Sequence, residues 1–217
     1  MSRLIDNIKK YQDNFKQRVS KDIQKIMLEA TQKLKDEKLS KNALKVSDIA
    51  KDFTLKNPLN KDVNLNKLLE ENNFVVLNFY RGAWCPYCNL ELKALESINK
   101  TLIRNKAKLV AISPQTPDAS LTTKEKNELT FEVLSDTNNE IAKEYGLVFS
   151  LADELKPIYK NFGINIPKSN NEDSFNLPMP ATYVINKNKE IIYAFIDEDY
   201  TSRSEPQEIL DIIAKNS

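Results

Sequence analysis

Histidine is absent from this chain of 217 residues, and glycine occurs only three times. Without histidine, the chain cannot be a hydrolase that activates serine or cysteine with an imidazole, and it cannot build a histidine-ligated zinc, copper or haem site. Because Gly82, Gly146 and Gly163 lie far apart, neither a dinucleotide-binding fingerprint nor a Walker-type phosphate loop is present. These absences leave few classes of demanding chemistry open.

Excess charge of one sign is also missing, since 32 basic residues balance 31 acidic ones. A net charge of +1 provides no long-range field for nucleic acid or anionic lipid, so we expect neither as a partner. No segment approaches the roughly 20 apolar residues of a membrane span, and charges interrupt the first ten residues too often for a signal peptide. These features favour a cytoplasmic protein.

Cysteine is nearly absent too: the chain has only two, three positions apart. Two thiols are too few for a four-ligand structural zinc site and make a poor extracellular disulfide framework. In the cytoplasm, where thiols stay reduced, a Cys-x-x-Cys pair is more often catalytic than structural. The pair directly follows the apolar run 74–80, in the segment Arg81-Gly82-Ala83-Trp84-Cys85-Pro86-Tyr87-Cys88.

A strand followed by this motif predicts that Cys85 lies at the N-terminal end of a helix. Free backbone N–H groups and the positive end of the helix dipole favour a thiolate there. Pro86 suits the first helical position, and Cys88 lies one turn further on the same face, within reach of a disulfide. We expect Cys85 to be the exposed attacking thiol and Cys88 the more buried resolving thiol. A merely structural pair of buried thiols is the alternative.

Three residues lie beside the cysteines in the sequence. Two of them, Arg81 and Trp84, have two interpretations each. Arg81 either holds positive charge near the thiolate or is an ordinary exposed arginine. Trp84 either shields the site from water or only packs. Gly82 is expected to serve a tight turn.

The remaining sequence predicts an α/β domain with a mixed sheet at 43–217, preceded by a helical extension at 1–40. Two amphipathic helices are expected within 3–37, the second capped by Ser20, with a polar joint at 35–42. We interpret their apolar stripes as packing on the domain, with a dimerisation or partner surface as the alternative. The other predicted elements are strands at 53–55, 63–65, 74–80, 108–113, 131–134, 181–185 and 190–196, and helices at 66–71, 85–105, 119–127, 140–145, 152–161 and 205–214.

Two further features concern the last third of the chain. The segment 164–176 is predicted to be a polar loop, and 186–189 a hairpin turn between the last two strands. Pro180 directly precedes a buried strand, and we expect its peptide bond to be cis and to face the cysteine pair.

The active-site segment, extended to Phe79-Tyr80 before it and Asn89-Leu90-Glu91-Leu92 after it, resembles the thioredoxin fold. It is most similar to the peroxiredoxin-like branch of the alkyl hydroperoxide reductase/thiol-specific antioxidant (AhpC/TSA) class. The segments 45–55, 134–136, 180–185 and 199–206 add to the likeness, which covers about residues 43–214. The extension also looks usual for this branch.

The resemblance implies that Cys85 attacks a hydroperoxide and becomes a sulfenic acid, while Arg81 orients a peroxide oxygen. Cys88 then condenses with the sulfenic acid, and a thioredoxin- or glutaredoxin-type partner reduces the disulfide. No bound cofactor is needed. Arg203 matches a late family arginine that approaches the site, with an exposed salt bridge as the alternative.

Two other functions stay open. Pro86-Tyr87 between the cysteines looks like glutaredoxin, which favours a general thiol–disulfide oxidoreductase acting on a small disulfide. The third hypothesis is a redox switch whose helical extension binds a partner.

Overall fold

A seven-stranded mixed β-sheet forms the centre of the computed structural model, which describes residues 3–217; residues 1 and 2 of the predicted extension lie outside them. The helices are α1 (Leu4–Arg18), α2 (Lys21–Glu37), α3 (Leu65–Glu71), α4 (Pro86–Arg104), α5 (Pro117–Lys126), α6 (Glu140–Glu144), α7 (Leu155–Asn161), α8 (Ile166–Asn170) and α9 (Pro206–Asn216). The strands are β1 (Thr54–Lys56), β2 (Asp62–Asn64), β3 (Phe74–Phe79), β4 (Ala107–Ser113), β5 (Glu132–Ser135), β6 (Val148–Ser150), β7 (Asn176–Pro178), β8 (Ala181–Asn186) and β9 (Ile191–Ile196).

The strand order in the large sheet is β2-β1-β5-β4-β3-β8-β9. Strands β3, β4 and β5 run parallel, whereas β8 and β9 complete the sheet antiparallel on one side and β1 and β2 on the other. The predicted α/β architecture with a mixed sheet is therefore confirmed. Among residues 3–217, no helix combines the length and apolar character that crossing a membrane requires.

Strand β3 is buried on both faces and delivers the cysteine motif. Val75 and Leu77 belong to one hydrophobic cluster, while Phe74 and Val76 belong to the other. Successive side chains of a strand point to opposite faces, so a central strand with helices on both sides requires an unbroken apolar run. Helix α4 starts at the carboxyl end of β3 and leads back to the parallel strand β4.

The two N-terminal helices pack on opposite faces of the sheet. Leu4 and Ile8 of α1 join the cluster that contains buried residues of α4 and α9. Ile23 and Met27 of α2 pack against the other cluster. The Ser20 hydroxyl accepts a hydrogen bond from Ile23 N at 3.4 Å, which confirms the predicted cap. The apolar stripes therefore cover the domain, as their amphipathic pattern predicts.

Several segments differ from the sequence prediction, among them β6 (Val148–Ser150), where no strand is predicted. The predicted loop 164–176 contains α8 and the first residue of β7, which pairs with β6 as a separate two-stranded sheet. Strands of three residues are too short for an alternating pattern to reveal them. In the predicted joint at 35–42, α2 continues to Glu37, and a 3-10 helix (Leu39–Asn42) follows after Lys38 turns left-handed.

The prediction of a cis peptide bond before Pro180 is wrong, because residues 3–217 contain no cis peptide bond. The chain runs extended from β7 into β8, and Met179 N donates to Leu147 O at 2.8 Å. A trans bond continues that extended path. Pro180 is buried and directly precedes Ala181, which pairs with Phe79 at the end of β3 that carries the cysteine motif.

Candidate active site

Cys85 is the N-cap residue of α4, as the motif predicts. Its backbone is extended, with φ −86° and ψ 113°, and Pro86 takes the first helical position. The Cys85 Sγ accepts a hydrogen bond from Cys88 N at 3.4 Å. The sulfur therefore takes the place of the capping oxygen at a helix N-terminus, where free N–H groups stabilise negative charge.

Gly82 forms the turn that brings the chain from β3 to this helix. Cys85 N donates to Gly82 O at 3.0 Å, and Gly82 has a φ of +149°. A Cβ at this position would lie 2.5 Å from Trp84 Nε1. Both the backbone conformation and the close indole ring therefore require glycine, in agreement with the predicted tight turn.

Replacing Gly82 by alanine is expected to cost about 3 kcal/mol of unfolding free energy, because backbone strain and overpacking each contribute on the order of 1–3 kcal/mol. Gly163→Ala is the matched control, since Gly163 also has a positive φ, +76°, but nothing lies within 4 Å of its Cβ position. The unfolding free energy of both variants is measured in urea, and the fluorescence emission of Trp84 reports on the contact at residue 82. Equal losses with unchanged emission would contradict the close contact.

Both sulfurs are buried, which overturns the prediction that Cys85 is the exposed one. Cys85 and Cys88 are each 0% exposed, and both are free thiols. Arg81 lies against the Cys85 sulfur, and aromatic rings surround its guanidinium group: Arg81 Cζ lies 4.2 Å from the Tyr200 ring centre and 5.2 Å from that of Trp84. The spacing of residues in the sequence does not reveal this aromatic cover over Arg81, because Tyr200 lies more than 100 positions after the cysteine motif.

Arg81 is a buried part of the site, so its interpretation as an ordinary exposed arginine is wrong. It is 3% exposed and donates from Nη2 to Cys85 Sγ at 3.5 Å. Its Nη1 donates to Tyr159 Oη at 3.3 Å. Trp84 is half-buried and packs edge-on against Tyr159, with 5.7 Å between the ring centres. Trp84 therefore both packs and helps to cover the arginine.

Arg203 lies beside the second cysteine in a buried ion pair with Glu91. Their side chains are 1% and 2% exposed, and Arg203 Nε donates to Glu91 Oε2 at 2.6 Å. Arg203 Nη2 also donates to Cys88 Sγ at 3.4 Å. The exposed interpretation of Arg203 is therefore wrong, and its predicted approach to the site is confirmed.

Glu91 is a site residue that the sequence reasoning missed. Its Oε1 accepts a hydrogen bond from Thr182 Oγ1 at 3.5 Å, and Thr182 Oγ1 accepts one from Asn78 Nδ2 at 3.1 Å. Glu91 lies one turn after Cys88, on the apolar face of α4. A charge on the buried stripe of an amphipathic helix was the signal that could have identified it, because such a charge needs a partner.

The two thiols differ in acidity. Burial is the largest influence on Cys85 and opposes its ionisation, but the hydrogen bond from Cys88 and the nearby arginine charges lower the Cys85 pKa well below its ordinary value. Burial raises the pKa of Cys88 well above its ordinary value, and the hydrogen bond to Cys85 and the charge on Cys85 raise it further. This favours a Cys85 thiolate next to a Cys88 thiol.

A groove with a volume of about 480 Å³ adjoins the buried cysteines. The motif contributes Arg81, Trp84, Pro86 and Tyr87 to its lining. Helices α1 and α2 form part of its wall, through residues that include Tyr11, Phe15 and Met27. Neither cysteine lines the groove, and the motif residues in its wall separate it from the two sulfurs.

A mixed sheet of this order, with a Cys-x-x-Cys pair at the start of the helix after a central strand, defines a thiol redox protein of the thioredoxin-like class. The model of the AhpC/TSA family matches residues 46–194. The chain therefore belongs to the AhpC/TSA family.

Individual relatives agree with this assignment. A putative peroxiredoxin bcp from Buchnera aphidicola is 32% identical over 104 residues, which cover 48% of this chain and 65% of that protein. Peroxiredoxin Bcp from Escherichia coli K12 is 28% identical over 106 residues, covering 49% and 67%. The chain thus spans about two thirds of the length of these relatives. The crystal structure of peroxidoxin BcpB from Mycobacterium tuberculosis matches with a TM-score of 0.63 at 20% identity, covering 80% of this chain and 99% of that one, and establishes the fold alone.

Proposed function

We propose that this protein is a thiol-dependent peroxidase that reduces hydroperoxides through Cys85 and Cys88. The observation that carries the proposal is the Cys85 sulfur at the start of α4, which accepts hydrogen bonds from Cys88 N and Arg81. Its lowered pKa favours the thiolate, which is the nucleophilic form. Membership of the AhpC/TSA family and the similarity to peroxiredoxins support the same chemistry.

The proposed reaction proceeds in two steps at the two sulfurs. The Cys85 thiolate attacks the terminal oxygen of the hydroperoxide, the O–O bond breaks, and the alkoxide leaves with a proton as the alcohol. Cys85 is then a sulfenic acid. The Cys88 sulfur attacks it, an S–S bond forms, and water leaves with the proton of the Cys88 thiol. One hydroperoxide and two thiols thus give an alcohol, a water and a disulfide.

A dithiol partner must then reduce the disulfide to restore both thiols. We propose a protein of the thioredoxin or glutaredoxin type for this step, acting in the cytoplasm, where such reductants keep thiols reduced. Arg81 and Arg203 would hold negative charge on either sulfur during the exchange. The groove beside Trp84 and Tyr87 is the proposed route for the peroxide up to the motif residues that separate it from the sulfurs.

The second candidate is thiol–disulfide exchange with a small disulfide such as oxidised glutathione. The two cysteines with Pro86-Tyr87 between them favour it, because a low-pKa thiol at a helix start also attacks disulfides. In that reaction, Cys85 would form a mixed disulfide, and Cys88 would release the small thiol.

Stopped-flow fluorescence distinguishes the two candidates, because Trp84 is the only tryptophan and lies beside Arg81. Reduced protein is mixed with hydrogen peroxide, with an alkyl hydroperoxide or with oxidised glutathione, and the products are weighed by mass spectrometry. Fast reaction with a peroxide, with a loss of two hydrogens per chain, is the expected result. Fast reaction with oxidised glutathione but not with a peroxide would contradict the peroxidase proposal and support thiol–disulfide exchange.

A further inference from the structure

Residues 197–205, called here the arginine loop, connect β9 to α9 and carry two residues of the site. Arg203 donates to Cys88 Sγ, and Tyr200 covers the guanidinium group of Arg81. The loop also folds back on its arginine, because Arg203 Nη1 donates to the carbonyl oxygens of Tyr200 and Ser202, both at 2.6 Å. The position of the loop therefore sets the charge beside Cys88 and the cover over the guanidinium group of Arg81.

Apolar packing holds this loop at Tyr200, whose ring packs against the core and edge-on against Tyr87, with 5.7 Å between the ring centres. Eight of its nine residues are only partly buried, and Ser204 alone is buried. A segment with few buried apolar contacts depends on polar contacts for its position. Glu91 of α4 holds the Arg203 side chain directly, and the elements that supply polar contacts to the rest of the loop fix the backbone that carries it.

The start of α1 is one of these elements. Glu205 Oε2 accepts a hydrogen bond from Leu4 N at 3.2 Å, and Glu205 Oε1 accepts one from Ile5 N at 2.6 Å. The N-cap residue Arg3 offers no side-chain cap of its own. The loop therefore supplies the cap of the extension, and a carboxylate at a helix N-terminus is a favourable contact.

Three further contacts join the extension to the loop. Gln12 Nε2 donates to Thr201 Oγ1 at 3.1 Å, and Lys35 Nζ forms an ion pair with Asp199 Oδ2 at 3.1 Å. After α2, Ser40 N donates to a carboxylate oxygen of Glu198 at 2.9 Å. Together with Glu205, four loop residues are held from points spread over the whole extension.

We infer that the N-terminal extension is a positioning element of the redox site, which acts by fixing the arginine loop so that Arg203 stays against Cys88. Gln12 and Lys35 are then positioning residues, although neither touches a sulfur. The positive charge of Arg203 lowers the pKa of both thiols. Loosening the loop withdraws this charge, so the thiol pKa should rise. That this positioning matters for turnover rests on the proposed peroxidase function. Its effect on the acidity of the thiols is independent of that function.

The test compares the full-length double variant Gln12→Ala/Lys35→Met with Lys25→Met. Lys25 lies on the same helix as Lys35 but pairs with Glu29 within α2. Arg203→Met gives the effect of losing the arginine itself. The rate of alkylation of each cysteine by iodoacetamide is followed against pH by peptide mass spectrometry, and circular dichroism checks that each variant is folded.

We expect the double variant to raise the apparent pKa of the Cys88 thiol, which Arg203 contacts, by about half a unit, in the same direction as Arg203→Met. Because Cys88 is mostly protonated near neutral pH, this shift slows its alkylation there about threefold. Lys25→Met should titrate like the unchanged protein. If the double variant also titrates like the unchanged protein while Arg203→Met shifts, the loop holds itself and the inference is overturned. It is equally overturned if Arg203→Met shifts nothing. Because alkylation uses no peroxide, failure to reduce hydroperoxides would overturn the proposed function and leave this inference standing.

Discussion

Substituting Cys85 by serine should reduce peroxide turnover on the order of a thousandfold or more, because a serine hydroxyl in the same place is not ionised and does not attack an O–O bond. The helix N-terminus and Arg81 would still lie around the hydroxyl, so binding in the groove is expected to change little. The measurement is peroxide consumption with a thioredoxin-type reductant, followed over minutes.

Cys88→Ser is the matched change one helical turn away. It keeps the Cys85 thiolate but removes the resolving thiol, so the first oxidation should remain while turnover stops. A sulfenic acid should then accumulate on Cys85 and appear as a mass increase of one oxygen. If the oxygen instead accumulates on Cys88 in the Cys85→Ser variant, the roles are reversed and Arg203 serves the attacking sulfur. Full turnover by Cys88→Ser would contradict the resolving role.

The cysteine motif and the central sheet could be predicted from local signals. The unbroken apolar run of β3 indicates a strand covered on both faces, and Pro86 after Cys85 indicates the start of a helix. The hairpin turn at 186–189 follows from its polar residues between two apolar runs. Each of these signals lies within about ten residues of the feature that it predicts.

The electrostatic surroundings of the cysteines could not be predicted in the same way. Arg203 and Glu91 are 112 positions apart in the sequence, and their ion pair exists only because the arginine loop returns to α4. The cover over the Arg81 guanidinium group depends likewise on Tyr200. Long-range contacts of this kind follow from tertiary packing, which no spacing rule reports. The trans bond before Pro180 is a third case, since the two isomers of an X–Pro bond differ by only about 1 kcal/mol and a proline before a buried strand is compatible with either.

The Arg203–Glu91 pair is expected to influence stability and thiol acidity in ways that can be separated. Arg203→Met leaves the Glu91 carboxylate buried without its counter-charge, and removing one partner of a buried pair costs about 3–5 kcal/mol. The same change removes a positive charge that lowers the pKa of both cysteines. The single variant should therefore be less stable to urea, and its Cys88 thiol, which Arg203 contacts, should alkylate more slowly near neutral pH.

The double variant Arg203→Met/Glu91→Leu separates these effects. Replacing a buried ion pair by apolar residues of similar size is often neutral for stability, so the urea midpoint should return most of the way to that of the unchanged protein. Alkylation should stay slow, because the apolar pair supplies no positive charge to Cys88 or Cys85. Recovery of both properties together would mean that Arg203 acts on the thiols only by keeping the protein folded. Recovery of stability alone would establish the arginine as an electrostatic part of the redox site.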